Sequence, residues 1–167
     1  MTATADQSSF RNAMARFASG VTVCTTRNSD GVFVGFTASA FSSLSLNPPM
    51  LLVCLQKDAE CYTAFMDNDA FAVSILAHGQ SDIARRFATK NIDKWHGTPV
   101  TDGEISGLPL ITGASAHCEC WVTERVDGGD HTILVGLVER AEVSEHEPMV
   151  HYNRRFGYFV EEEVSPD

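Results

Sequence analysis

The sequence predicts a mainly β (α+β) fold, an antiparallel barrel of six strands with short peripheral helices. Runs rich in β-branched and apolar residues recur, notably at Val21–Arg27, Met50–Gln56 and Ala70–Leu76, and such runs fit a pleated, half-buried surface. Two turn signals, Asn28-Ser29-Asp30-Gly31 and Asp127-Gly128-Gly129-Asp130, each sit between strand-like runs and predict hairpins. No βαβ rhythm and no GxGxxG after a strand occurs, which disfavours a doubly wound nucleotide-binding sheet.

Residues 1–7 read as a tail. Ser8 or Ser9 offers an N-cap for a helix to Ala18, with Phe10, Met14 and Phe17 on one stripe. Val21–Arg27 and Val32–Thr37 form the first expected hairpin. Gly35–Pro49 follows, without a charge and with four serines and a threonine. Asn47-Pro48-Pro49 enforces a non-helical lead into Met50–Gln56. A short helix is expected over Glu60–Met66, a strand over Ala70–Leu76, and a helix over Asp82–Thr89 with Ile83, Ala84 and Phe87 inward. Residues 90–107 are irregular, with Trp95 as an anchor, and a connection that long suggests a site cover or a partner contact. Leu108–Ile111 is short and apolar. Ala114–Val126 and His131–Val143 make the second hairpin. Phe156–Val160 is a last apolar piece, and 161–167 reads as an acidic tail.

A chain of 167 residues fits one domain spanning 1–167. Twelve basic and 22 acidic residues give a net charge of −10, with no basic cluster beyond Arg85-Arg86 and Arg154-Arg155. Nucleic acid is excluded as a partner, because phosphate contacts need a concentrated positive patch. The first ten residues lack a secretory pattern, and no apolar run approaches the roughly 20 residues of a membrane span. No membrane partner is expected. Five cysteines, at 24, 54, 61, 118 and 120, read as reduced thiols of a cytoplasmic protein. In Cys118-Glu119-Cys120, strand alternation sends the thiols to one face and His117 and Glu119 to the other, so no metal site is expected.

Gly35–Pro49 holds the first chemical question. Hydroxyls and backbone N–H groups beside an apolar strand need partners. They satisfy one another in a turn, or they face a ligand rich in acceptors, such as a phosphate or a heterocycle. Hydrolysis is disfavoured, since no GxSxG elbow occurs. Asp130-His131 ends the second hairpin turn and allows two readings: a turn in which Asp130 bonds its own backbone, or a histidine at a barrel mouth facing a ring ligand. Arg85 and Arg86 are a solvated pair or a guanidinium clamp on phosphate. Arg154 and Arg155 lie among Tyr152, Phe156 and Tyr158, where arginine stacks on rings.

Four blocks in fixed order carry a family resemblance: ASGVTVCTT, GFTASAFSSLSLNPPMLLVCL, FAVSILAHGQSDIARRFA and GGDHTILVGLV. Over residues 10–159 the chain resembles the short-chain flavin reductases, the reductase components of two-component flavin-dependent monooxygenases. The resemblance implies a Greek-key, six-stranded split β-barrel, a homodimer, and a flavin groove near the dimer interface. It implies that Thr37, Ala38, Ser39 and Ala40 line the flavin, with Ser45 and the strand end Cys54, Leu55, Gln56 and Lys57 nearby. Ser81, Arg86 and Phe87 are implied at the phosphate or ribityl end. Asp130 and His131 are implied at the nicotinamide, His131 as the catalytic-site residue, with Tyr152, Arg155 and Tyr158 closing over it. Cys54 stands where many of those proteins carry serine, so no hydroxyl is offered to phosphate there.

The implied activity is hydride transfer from NADH or NADPH to FAD or FMN, with reduced flavin passed to a partner monooxygenase. Such chemistry needs two stacked rings, not an obligatory general base, which suits a site of hydroxyls and small residues. NADH is favoured over NADPH because no dedicated basic pocket for a 2′-phosphate is evident, although Arg85, Arg154 and Arg155 are available. FAD is slightly favoured over FMN. The alternatives are a non-catalytic flavin-binding module, and a self-contained flavoprotein reducing a quinone or a metal complex.

Overall fold

The computed structural model describes residues 4–161, and two long strands form its spine. In chain order the elements begin with α1 (Gln7–Met14), β1 (Ser19–Gly20), β2 (Thr22–Arg27), β3 (Phe33–Ala38), β4 (Phe41–Leu46) and β5 (Pro49–Gln56). They continue with α2 (Tyr62–Asp67), β6 (Ala70–Ile75), α3 (Ser81–Ala88), β7 (Val100–Asp102) and β8 (Pro109–Ile111). The spine, β9 (Ala116–Gly128) and β10 (His131–Val143), is followed by β11 (Met149–Tyr152) and β12 (Arg155–Tyr158).

The main sheet is antiparallel with the order β3-β2-β6-β9-β10-β5-β4. It has seven strands, not six, and its hydrogen-bonded order runs open from β3 to β4. The additional strand is β4, in the serine-rich stretch that was not expected to be a strand. It is an edge strand, paired to β5 with a bulge between Ser43 and Ser45. Most of it is exposed, so burial imposes no alternation on its sequence. The Asn47–Pro48 peptide is cis, and Pro49 already belongs to β5.

The sheet curls until its distant strands share one core. Phe36 of β3, Cys24 of β2, Val53 and Leu55 of β5, Phe71 of β6 and Leu134 of β10 pack in a single cluster. Phe65 of α2 meets Phe36 edge-on, with ring centroids 5.1 Å apart. A second cluster lies on the other side of β2, where Val21, Val23 and Leu76 receive Ala84 and Phe87 of α3. The inward face expected for α3 is therefore observed.

Strand β2 is buried on both faces, yet it carries three threonines. Each hydroxyl donates to a carbonyl outside the strand ladder: Thr22 to Ala38 at 3.0 Å, Thr25 to Pro109 at 2.8 Å and Thr26 to Ala70 at 2.7 Å. β-Branched shape is kept for the strand without leaving a polar atom orphaned.

Helix α1 is capped by Asp6, whose carboxylate accepts from Ser9 N at 2.9 Å, rather than by Ser8 or Ser9. It ends at Met14, short of Ala18, and takes in Asp6 as its N-cap and Gln7 as its first residue. The Phe10, Met14, Phe17 stripe exists but stays uncovered, with Phe17 77% exposed. β1, β11 and β12 form a small separate sheet that the sequence reading did not anticipate. Of the predicted acidic tail, residues 162–167 lie outside the described residues. Among the described residues, no helix is long and apolar enough to cross a membrane.

One carboxylate organises the 103–108 loop. Glu119 of β9 is only 2% exposed. Its Oε2 accepts from Ile105 N at 3.1 Å, Ser106 N at 2.7 Å and Ser106 Oγ at 2.6 Å, and Arg140 Nε lies 4.0 Å from Oε1. Burial pushes its pKa up, but the bonds from Ser106 and Ile105 outweigh burial and hold it below the ordinary 4.5. A depressed folded-state pKa means that this stabilisation is complete above the unfolded value and lost as pH falls through the folded one. Glu119→Ala is expected to lower the unfolding free energy by about 3 kcal/mol, the scale for stripping one partner from a buried charged network. Urea unfolding at neutral pH measures this, and the difference from the parent protein should shrink below pH 4.5.

Candidate active site

A cavity of about 320 Å³ opens where five segments meet. The end of β3 and its following turn supply Thr37, Ala38, Ser39 and Ala40, and the end of β5 supplies Cys54, Leu55 and Gln56. The α3 side gives Phe87, Ala88, Lys90 and Lys94, and the segment before α2 gives Ala59, Glu60 and Cys61. His131, at the start of β10, closes one side.

Close approach of α3 to β3 shapes the floor. A Cβ on Gly35 would lie 2.8 Å from Cys24 O and 3.1 Å from the Phe87 ring, so only glycine fits there. Two residues along β3, Thr37 Oγ1 donates to Ala84 O at 2.7 Å and ties the strand to the helix. That hydroxyl hydrogen is spent on the fold.

The hairpin tip fixes His131. A two-residue loop joins β9 to β10, and its first residue, Gly129, has φ +79, a conformation that favours glycine. Asp127 and Gly128, expected in the turn, are the last residues of β9. His131 pairs across the sheet with Gln56 of β5. Its Nδ1 lies 2.8 Å from Asp130 Oδ1. The hydrogen bond from His131 holds the Asp130 carboxyl below its usual range. Asp130 thus bonds the His131 side chain first and its own backbone N–H as well. Lys57 clips the same tip: Nζ pairs with the Asp127 carboxylate and donates to Gly129 O at 2.7 Å, while Lys57 N donates to Asp130 O at 2.9 Å. Thr132 turns inward to Tyr62 OH at 2.8 Å.

Cavity chemistry is mild. Among the described residues Glu60 is the sole lining carboxylate, so no acid–base carboxylate pair exists there. Burial raises the Cys54 thiol, and burial pushes the Cys61 thiol up to about 11, so both are neutral at neutral pH. A neutral thiol is a poor nucleophile and a poor metal ligand. No group of three or more His, Cys, Asp or Glu able to hold a metal ion occurs among the described residues.

Of the residues singled out from sequence, Thr37, Ala38, Ser39, Ala40, Cys54, Leu55, Gln56, Phe87 and His131 line this one cavity. The others do not. Ser45 lies half-buried on edge strand β4, outside the cavity lining, and Lys57 and Asp130 serve the hairpin tip. Arg86 donates to His96 O and to Thr98 Oγ1, both at 2.8 Å, and so braces the 95–98 segment. Ser81 Oγ accepts from Arg85 Nη1 at 3.2 Å. Tyr152, Arg155 and Tyr158 line a separate hollow of about 290 Å³ on the β11–β12 hairpin, and Tyr158 stacks against His78 at 4.8 Å. Sequence reasoning missed Glu60, Lys90 and Lys94. These lie on irregular segments without periodicity, and only an unpaired-looking charge beside an apolar anchor, as in Lys94-Trp95, hinted at them.

Residues 14–159 match the flavin reductase like domain. The chain belongs to that family. It is 43% identical over 158 residues to a Streptomyces coelicolor protein named actinorhodin polyketide dimerase, covering 92% of this chain and 86% of the relative. It is 36% identical over 152 residues to the reductase subunit of a flavin-dependent monooxygenase from Rhodococcus jostii, covering 90% of this chain and 77% of the relative. Among solved structures, the NADH:FAD oxidoreductase of Streptomyces globisporus, in complex with NAD and FAD fragments, superposes with a TM-score of 0.89 at 39% identity. That match covers 95% of this chain and 96% of the other.

The strand-to-helix tie is testable apart from any ligand. Thr37→Val removes the bond to Ala84 O and leaves shape nearly intact. It is expected to cost about 1 kcal/mol of stability, read from the midpoint of denaturant unfolding.

Proposed function

We propose that this chain is an NADH-dependent flavin reductase that transfers hydride to FAD or FMN and supplies reduced flavin to a partner monooxygenase. The observation that carries this reading is a cavity of small residues, hydroxyls and one histidine, without an acid–base pair, in a member of the flavin reductase-like family. The donor set fits a flavin: the Ala38–Ala40 turn lets a planar ring approach backbone, and Ser39 and Gln56 offer neutral hydrogen-bonding groups.

When bound, the flavin supplies the hydride-accepting chemistry and the nicotinamide supplies the hydride. The chain's own part is orientation. Ala38, Ser39 and Ala40 hold one ring edge. Gln56 presents neutral dipoles, which favour charge that grows on reduction. Phe87 and Leu55 exclude water from the floor. His131, steadied by Asp130 and by the Lys57 clip behind it, meets the nicotinamide at the mouth. Asp130 favours a donating Nδ1–H, which leaves Nε2 to face the ligand.

We further read the curled sheet as a split barrel of Greek-key type, residues 1–167 as one domain, and the working unit as a homodimer. Support for the dimer is the uncovered apolar stripe of α1. Ser39 and Ala40 line both the cavity and the hollow beneath that stripe, which supports a flavin groove beside the proposed interface. Five free cysteines suit a reducing, cytoplasmic setting. NADH is preferred to NADPH because Arg85 and Arg154 already bond Asp82 and Asn12.

Purified protein with NADH and excess FAD should consume nicotinamide absorbance steadily and release reduced flavin. Flavin binding without oxidation of either NADH or NADPH would overturn the reductase assignment and leave a flavin-binding module. Retention of flavin through gel filtration, without release of its reduced form, would instead indicate a self-contained flavoprotein. His131→Ala is expected to raise the KM for NADH with flavin affinity little changed, which steady-state kinetics and flavin titration separate. Ser39→Ala should weaken flavin binding by about 1 kcal/mol, the scale of one neutral hydrogen bond, measured by fluorescence titration.

A further inference from the structure

His131 stands between two hollows. It lines the main cavity of about 320 Å³ and, on its other side, an outer hollow of about 260 Å³. The two share Ala40, Cys54 and His131 as a partition. Where the imidazole points therefore depends on how the hairpin tip is held. We propose that Lys57 is a positioning residue that keeps His131 turned to the main cavity, and that ionic strength acts on nicotinamide affinity through it. The proposal rests on the flavin reductase reading and deepens it.

The imidazole has little of its own to hold it. Its Nδ1 meets Asp130 Oδ1, and the Asp130 side chain is 86% exposed. The residues on either side of it are held instead, and both holds come from the connection between β5 and α2 and its first helical residue. On the inner side Tyr62 OH meets Thr132 Oγ1 at 2.8 Å, and Thr132 is buried. On the outer side Lys57 grips the tip at three places. Its Nζ pairs with the Asp127 carboxylate and donates to Gly129 O at 2.7 Å, and its backbone N donates to Asp130 O at 2.9 Å. The inner hold is between neutral hydroxyls. The outer hold is charged: the hydrogen bond with Asp127 raises the Lys57 pKa and lowers that of Asp127, so both are ionised at neutral pH. Lys57 lines neither hollow, so it acts on a ligand through His131 rather than by touching it.

This arrangement sets the sign of a salt effect. The chain carries a net charge of −10, which repels an anionic dinucleotide, and screening that repulsion lowers the KM for NADH as salt is added. Loosening the Lys57 grip does the reverse, because a freed tip lets the imidazole turn out of the cavity. Asp127 is exposed, so the pair is open to screening. The net charge is spread over the whole surface, whereas the grip sits at the ring itself, and the grip decides. The bond from Lys57 N to Asp130 O is between backbone groups, so the tip loosens without detaching.

Lys57→Met keeps the length of the side chain and removes its charge, and Lys57→Arg keeps the charge. Each is made in the parent and in His131→Ala, and steady-state kinetics at saturating FAD, FAD titration and melting temperatures are measured. Lys57→Met is expected to raise the KM for NADH about three- to fivefold, with kcat and FAD affinity within about twofold, and Lys57→Arg to restore it. In His131→Ala, Lys57→Met should add nothing further, the mark of one shared contribution. Raising salt from about 0.01 M to about 1 M shortens the screening length from about 30 Å to about 3 Å. The KM of the parent should then rise about twofold or more, and that of Lys57→Met should stay level or fall. An undiminished effect of Lys57→Met in His131→Ala overturns the proposal and means that Lys57 meets the nucleotide directly. A loss of FAD affinity overturns it too, as does a lowered melting temperature with the KM unchanged, which marks a purely structural role. A parent KM that falls or stays level with salt overturns it even if Lys57→Met does not fold. If His131→Ala leaves the KM for NADH unchanged, the role of His131 falls and that of Lys57 with it. A parent protein that oxidises neither NADH nor NADPH in the presence of FAD or FMN removes the reductase reading instead.

Discussion

Strand β2 has no face toward solvent, and the rest of the fold follows from that constraint. One side of the strand belongs to the core that the curled sheet encloses, and the other to the cluster under α3. A strand in this position must be apolar or must satisfy every polar atom within the protein. The three threonines do the latter, each with a carbonyl from a different element: β3, β8 and β6. Those bonds fix where its neighbours sit. β3 in turn comes so close to α3 that glycine is required at 35, and the floor of the cavity is the product of that contact.

The cavity walls are supported unequally. The floor is held by packing and by the Thr37–Ala84 bond, and so is rigid. The mouth depends on the tip of the β9–β10 hairpin, where Lys57 reaches from β5 to an exposed carboxylate and a carbonyl. Exposed ion pairs are weak and screened by salt. The side that carries His131 is therefore softer than the side that carries Phe87. A site whose reaction needs two rings brought together in turn benefits from that asymmetry, since one ring requires a fixed bed and the other must come and go.

Much of the fold was legible in the sequence because burial imprints periodicity. β2, β5, β6, β9 and β10 and the inward face of α3 were all readable, since each buries one or both faces in a core. β4 was not, because an exposed edge strand of serines carries no such imprint. The two-strand pairing of β1 with β11 joins segments 130 residues apart through backbone bonds alone, and backbone pairing leaves no trace in side-chain pattern. The site divides in the same way. The Thr37–Ala40 and Cys54–Gln56 stretches were named from the family resemblance, and the fold brings both to one cavity. For Arg86 the sequence left both readings open, because a guanidinium looks the same in sequence whether it meets a phosphate or a carbonyl; the fold brings the 95–98 segment back onto it. Lys94 was passed over because its neighbours Glu60 and Gly35 lie far away in the chain.

The pairing of Ser19 with His151 has a mechanical meaning for the whole chain. Asn153 N also donates to Ala15 O at 2.9 Å, and Arg154 reaches Asn12 at 2.9 Å. The two ends of the described chain are stitched into one flap that carries the apolar stripe of α1. Tension applied between the ends is borne by this small sheet before it reaches the seven-stranded one, so the flap is the part that peels first under load. Loss of β11 frees β1, whereas β11 keeps its pairing with β12 if β1 is lost.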